Sequence, residues 1–174
     1  NMTEHPAHDI DVLRNLSIFG ALARETIVFL RDRCEEVTVA AGEDFFVQGE
    51  MGDSVFVLRK GRVAVLRTLD DECMVLAELD SGFCFGEMAL VAISPRNATV
   101  RALEDCTALR LRNLSLLDLY EHDLEQFTLV QMNLGREVAR RLAVADQSLF
   151  DYAKRCGETV KDSDLLSRVA DTLK

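Results

Sequence analysis

Phe85-Gly-Glu-Met-Ala-Leu90, then Val-Ala-Ile-Ser, then Pro95-Arg-Asn-Ala-Thr-Val100, is the stretch on which the reading of this chain turns. Phe85 ends a short apolar run, and Gly86 lets the backbone come close to a ligand where a side chain would intrude. The residues after Glu87 open a short helical turn. Free N–H groups at its start, from Met88 and Ala89, suit an anion. Arg96, one loop further on, adds a forked and permanently charged donor that matches a phosphate. Glu87 has the wrong sign for phosphate, and a carboxylate there makes sense as acceptor for a sugar hydroxyl. Taken alone, a Gly-Glu pair and an arginine equally describe a turn and a surface salt bridge, so the surroundings must decide.

On the N-terminal side, residues 9–35 read as helical. Leu13, Leu16, Phe19, Leu22, Ile27 and Leu30 recur at spacings near three to five, with one break at Gly20. The period then shortens. Six of the nine glycines fall between Gly42 and Gly86 and punctuate short runs of Val, Phe and Leu. Ser54–Leu58 and Arg62–Leu66 flank Lys60-Gly61 and predict a hairpin. Glu72–Leu79 follows a second turn signal at Asp70-Asp71, and two more strands, Thr99–Leu103 and Thr107–Leu111, lie around Glu104-Asp105. Short strands at this spacing argue for a β-sandwich or a barrel-like roll.

After Leu111 the helical period returns, with a short helix over Leu114–Glu121 and a long one over Leu124–Phe150. On the long helix Phe127, Val130, Leu134, Val138, Leu142, Ala145 and Leu149 form one nearly straight apolar stripe. A small roll cannot cover a stripe of that length, so part of it, including Leu134, Val138 and Leu142, is expected to face a partner chain. Residues 151–162 are polar and read as a linker. Ser163 then precedes Leu165, Leu166, Val169 and Leu173, a last amphipathic helix with an N-cap.

Composition narrows the function. The chain has 174 residues, 48% apolar and 29% charged, which suits one globular domain with an appendage. No apolar stretch is long enough to span a membrane and the N-terminus lacks a secretory signal, so a cytoplasmic location is expected. The five cysteines are scattered and never form a Cys-x-x-Cys clip, which reads as reduced thiols. No histidine lies between residues 9 and 121, so a His-based metal or catalytic site within the strands is excluded. The net charge is −10: residues 1–124 carry 12 Lys/Arg against 22 Asp/Glu, while residues 125–174 carry 8 against 8. Such a balance opposes nucleic acid and anionic membranes, and any bound anion needs a local cradle.

The segment quoted first resembles the phosphate-binding cassette of the cyclic nucleotide-binding domain family, which includes Crp-Fnr regulators and protein kinase A regulatory subunits. Gly42-Glu43, Gly49-Glu50, Gly52-Asp53 and Lys60-Gly61-Arg62-Val63-Ala64-Val65 resemble the family's glycine framework. Ala139-Arg140-Arg141-Leu142 resembles its C-terminal helix. The resemblance implies a mainly β fold with flanking α: an eight-stranded β-roll (a double-stranded β-helix, or jelly roll) with N-terminal helices and a long C-terminal helix. The domain would cover residues 9–150, with the roll at about 36–112, C-terminal helices at about 114–150, and 151–174 as appendage. By position, Glu87 would take the ribose 2′-hydroxyl and Arg96 the cyclic phosphate. Gly86, Met88 and Ala98 would lie in the cradle, with N–H groups from Ala89 and Asn97. Val65, Leu76, Phe85 and Arg141 would lie near the base, with Asp146 beside Arg141. Asn97 departs from the pattern, since this position is often Ala in cAMP-selective members and a hydroxyl residue where cGMP is accepted. Cyclic AMP is favoured as the commoner ligand, with cGMP open.

The resemblance thus implies a non-enzymatic sensor, a stand-alone member that signals through its C-terminal helix. It would have no catalytic residue, metal or cofactor, and would work as a homodimer through that helix on an unknown effector. One alternative is a truncated Crp-Fnr transcription regulator. Its winged helix-turn-helix needs about sixty residues after the long helix, whereas 24 follow Phe150, with 5 Lys/Arg against 5 Asp/Glu. Another is a ligand-free, degenerate dimerisation module, against which the intact Gly86, Glu87 and Arg96 stand. An enzyme on a cupin-like jelly roll would need histidines that the strands lack.

Overall fold

The short apolar runs become eight strands in the computed structural model, which describes residues 10–11, 13–70, 72–88 and 94–157. They are β1 Glu35–Val39, β2 Asp44–Phe46, β3 Ser54–Lys60, β4 Arg62–Leu69, β5 Glu72–Asp80, β6 Cys84–Phe85, β7 Thr99–Ala102 and β8 Cys106–Arg112. Two antiparallel four-stranded sheets result, in the orders β1-β8-β3-β6 and β2-β7-β4-β5. This is the eight-stranded roll that the glycine framework implied.

The strands around Lys60-Gly61 are present, but the hairpin expected there is not. β3 pairs with β8 and β6, β4 pairs with β5 and β7, and Gly61 carries the chain from one sheet to the other. Burial explains the choice. β3 is covered on both faces, with Val55 and Val57 on one and Phe56 and Leu58 on the other. β4 becomes exposed from Arg67 onward and cannot share that central place. Gly61 has φ +96, and a Cβ there would stand 2.5 Å from Cys106 Sγ, so the two crossings pack against each other. The Asp70-Asp71 signal does make a hairpin, pairing β4 with β5 from Arg62↔Asp80 to Leu69↔Glu72. A bulge between Val65 and Leu66 leaves Leu76 as the extra residue of β5.

Two cores follow from this alternation. Phe46, Phe56, Leu58, Val63, Phe85, Val100 and Ala108 fill the space between the sheets. Val55, Val57, Leu109 and Leu111, on the opposite side of the first sheet, pack on the helices through Leu13, Phe19, Ile27, Leu30, Leu119, Val130 and Leu134. The N-terminal helical region is broken into a 3-10 turn over Ser17–Phe19 and a helix α1 over Arg24–Arg31, with Ala21 between them at φ 64. Helix α2 covers Asn113–His122 and α3 covers Leu124–Arg155, five residues beyond the expected end at Phe150.

The chain divides into two units between Glu137 and Val138. In the first, Val130 and Leu134 are each only 1% exposed. Leu134, expected on a partner face, is therefore core of its own unit, because the helical layer on the roll is thick enough to cover the stripe that far. Asn133, also buried, fastens this part of α3 to the N-terminal turn by donating to Ile18 O and Gly20 O, and Ser17 donates to Glu137. In the second unit Leu142, Leu149 and Phe150 are exposed, and residues 151–155, expected in a linker, are helical. The amphipathic helix expected after Ser163 lies outside the described residues. Among the described residues no helix is long and apolar enough to cross a membrane.

Candidate anion site at the edge of the roll

Gly86 follows β6 at φ +82, a conformation that few other residues adopt without strain. The turn it makes presents its carbonyl to Arg96, whose Nη1 donates to it at 2.8 Å. Nη2 of the same guanidinium donates to Ser54 O at 2.8 Å, with the Ser54 hydroxyl further off at 3.5 Å. The guanidinium carbon sits 4.0 Å from the centroid of the Phe46 ring. Arg96 is only 6% exposed. Its backbone is fixed as firmly, since Arg96 N donates to Glu50 O and Gly49 N donates to Arg96 O. Met51 and Pro95 add an isolated bridge beside these bonds. The Gly49-Glu50 and Gly86-Glu87 motifs, 37 positions apart in the chain (86 − 49), thus meet on one arginine.

Neutral carbonyls orient a guanidinium without cancelling its charge. Burial works to lower the Arg96 pKa and Arg110 adds to that, while Asp53, Glu50 and Glu87 pull the other way; the balance is a lowered value. Arginine starts so high that it stays charged at neutral pH. The two carbonyls take two of the five N–H groups that a guanidinium offers. Glu87, the neighbour of Gly86, is fully buried.

The other expected residues distribute unevenly. Met88 opens a helical turn and is half-buried; Ala89 lies outside the described residues. Asn97 is exposed and Ala98 half-buried, on the bend that leads from Arg96 into β7. Val65 and Leu76 meet at the β4–β5 bulge, Val65 half-buried against the inner core and Leu76 51% exposed. Phe85 is 2% exposed and stacked on Phe56 at 5.5 Å, so its surface is committed to the core and it serves a base at most from behind. Arg141 and Asp146 belong to the second unit, on exposed helical positions.

Four residues of the neighbourhood were not singled out as ligand-site residues from the sequence: Phe46, Asp53, Ser54 and Arg110. Arg110 donates from Nε to Ser54 Oγ and from Nη2 to Asp53 Oδ1, each at 3.1 Å. Burial would raise the Asp53 pKa, but the Ser54 hydrogen bond, the Arg110 hydrogen bond and the charges of Arg110 and Arg112 prevail, so it is lowered. The signal in the sequence was a polar residue in an apolar run: Ser54 heads Val-Phe-Val-Leu, and Arg110 interrupts Ala-Leu-Arg-Leu. Together with Arg96, Phe46 and Phe56 they line a cavity of about 180 Å³. A larger groove of about 410 Å³ lies on the helices by Phe29, but its arginine, Arg33, is already taken by Asp118 at 3.2 Å and by the Phe29 ring.

A family model described as the cyclic nucleotide-binding domain matches residues 36–123. The cyclic AMP receptor protein of Thermus thermophilus is 31% identical over 138 residues, covering 79% of this chain and 62% of that protein. A crystal structure of Thermus thermophilus catabolite activator protein superposes with a TM-score of 0.70 at 31% identity, over 79% of this chain and 63% of that one. The N-terminal domain of a transcriptional regulator from Streptomyces coelicolor gives 0.66 at 34% identity, over 80% of this chain and 95% of that one. The chain thus spans less than two-thirds of the Thermus relative's length.

Proposed function

Since this chain belongs to the cyclic nucleotide-binding domain family, we propose that it is a non-enzymatic sensor of a purine 3′,5′-cyclic mononucleotide. One observation carries this reading: a buried guanidinium, fixed by two carbonyls and an aromatic face, beside a buried carboxylate on the next turn. Arg96 takes the cyclic phosphate and Glu87 the ribose 2′-hydroxyl. Gly86, Met88 and Ala98 shape the cradle, and Asn97 closes it near the base. Because Arg96 is already held in place, binding does not have to immobilise a long, free side chain, which would otherwise cost about 0.5–1.5 kcal/mol. Val65 and the exposed Leu76 offer the apolar surface against which a purine packs. Cyclic AMP is the favoured ligand, as the name of the Thermus relative suggests, with cGMP the competitor that Asn97 can serve. The C-terminal helix carries the response and a homodimer contact to a separate effector in the cytoplasm. The likeness to the N-terminal domain of a Streptomyces transcriptional regulator favours one second reading, the sensor part of a DNA-binding regulator.

Calorimetry with cAMP and cGMP tests the reading. Arg96→Ala is expected to weaken binding by about 2–5 kcal/mol, since it leaves a desolvated phosphate without its ion partner. Glu87→Ala is expected to cost about 1–3 kcal/mol, the range for a charge-assisted hydrogen bond. Asn97→Ala should move the preference towards cAMP. No heat from the wild type at millimolar nucleotide refutes the assignment.

A further inference from the structure

Arg110 stands on β8 in register with Phe56 of β3 and Glu35 of β1. Strand alternation places it on the same side as Ala108, which belongs to the core between the sheets, while Leu109 and Leu111 face the helices. A charged side chain turned to that side needs partners of its own, and Arg110 has them. Ser54 Oγ and Asp53 Oδ1 each accept from it at 3.1 Å, and its guanidinium carbon lies 5.9 Å from the Phe56 centroid. Arg96 lies at the same 5.9 Å from that ring. Ser54 joins the two arginines: its hydroxyl accepts from Arg110 and its carbonyl from Arg96.

We propose that Arg110 is a positioning residue for the nucleotide phosphate: by holding Asp53 and Ser54 it keeps the Arg96 guanidinium in place and its charge available to the ligand. The proposal rests on the cyclic-nucleotide reading given above. Asp53 is adjacent in sequence to Ser54, its side chain is 62% exposed, and its ion pair is with Arg110. Released, it becomes a mobile carboxylate one residue from the carbonyl on which Arg96 is anchored. A tethered anion acts at an effective concentration in the millimolar range, and in a site of low dielectric a carboxylate–guanidinium contact is strengthened. The field of Asp53 already reaches Arg96, as the strongest influence that favours its charged form. Loss of Arg110 would also remove one of two cations from a cavity that an anion enters. Both effects act in the same direction.

The test is a double-mutant cycle read by calorimetry with cAMP, with thermal unfolding followed on every variant. Arg110→Gln keeps most of the stem and removes the charge. It should raise Kd about tenfold, equivalent to about 1.4 kcal/mol. Arg110→Lys should recover most of that loss, and Asp53→Asn alone, which removes a carboxylate from the cavity, should tighten binding slightly rather than weaken it. The decisive variant is Asp53→Asn with Arg110→Gln, expected within about threefold of wild type because the competitor is gone while the lost cation is not replaced. Arg110→Gln binding like wild type overturns the proposal. So does a double variant as weak as Arg110→Gln, which would make Arg110 a merely structural residue. A wild type that binds no nucleotide would instead remove the functional reading, and this inference with it.

Discussion

Substituting alanine at Gly86 tests whether the arginine of the site is held as described. Gly86 has φ +82, and a Cβ there would lie 2.6 Å from Arg96 Nη1, 3.2 Å from the Phe46 ring and 3.3 Å from Ser54 O. Gly42 is the matched control, at φ +86 with nothing within 4 Å of its Cβ position. Alanine in the left-handed region costs about 1–2 kcal/mol at either site. The gain from a stiffer unfolded chain is also the same at both and cancels in the difference. Gly86→Ala carries an additional cost. A flexible arginine end could step aside cheaply, but this one is buried and bonded to two carbonyls. To clear the methyl group, Nη1 must leave Gly86 O, and a hydrogen bond to a charged group is worth about 1.5–3 kcal/mol. Gly86→Ala should therefore lose about 2.5–5 kcal/mol against about 1–2 for Gly42→Ala. Urea denaturation at neutral pH reads the difference. Calorimetry should show cyclic nucleotide binding weakened at least about tenfold in Gly86→Ala and unchanged in Gly42→Ala. Equal stability losses and equal affinities would mean that the guanidinium does not occupy this place.

Leu142→Glu, at a position 60% exposed within one chain, should leave unfolding unchanged and abolish self-association in sedimentation at tens of micromolar; a wild type that is monomeric with and without nucleotide removes the interface. Burial pushes the Cys106 thiol above its ordinary pKa of 9.0. The folded chain then holds this proton more tightly than the unfolded one, so the contribution is complete below pH 9 and lost as the pH rises above it. Urea midpoints should accordingly fall between pH 8 and pH 10.5, and fall less in Cys106→Ala; an identical decline in both would refute the assignment.

Gly86, Glu87 and Arg96 could be picked out because their spacing resembles the family's phosphate-binding cassette, and the structure places them in one neighbourhood. The anchors of Arg96 could not be, because Ser54 and Gly86 act through backbone carbonyls, which any residue supplies. Pairing failed at Lys60-Gly61 for a related reason. A glycine with φ near +90° serves a hairpin and a crossover equally, and only the burial of both faces of β3 decides between them. The stripe on α3 was correct as a period, yet Leu134 is 1% exposed and Leu142 60%. Periodicity tells which residues share a face and is silent on what covers it.

An acidic chain that binds an anion must keep its receptor arginine from being neutralised by its own carboxylates. Five other arginines of the roll show what happens otherwise. Arg59 pairs with Glu36, Arg62 with Glu78, Arg101 with Asp44, Arg110 with Asp53 and Arg112 with Glu35, all within 3.7 Å. Ion pairs of that kind spend the cation's charge on structure. Arg96 is held by Gly86 O, Ser54 O and the face of Phe46. Those contacts fix its direction and leave its charge, in a site where low polarisability strengthens any interaction with a phosphate. Ser54 is where the two kinds of arginine meet, accepting from Arg110 at the hydroxyl and from Arg96 at the carbonyl. In a chain of net charge −10, the proposed reading implies selectivity for a small anion over anionic surfaces: large polyanions meet the acidic exterior, while a cyclic phosphate can reach an arginine that carbonyls orient.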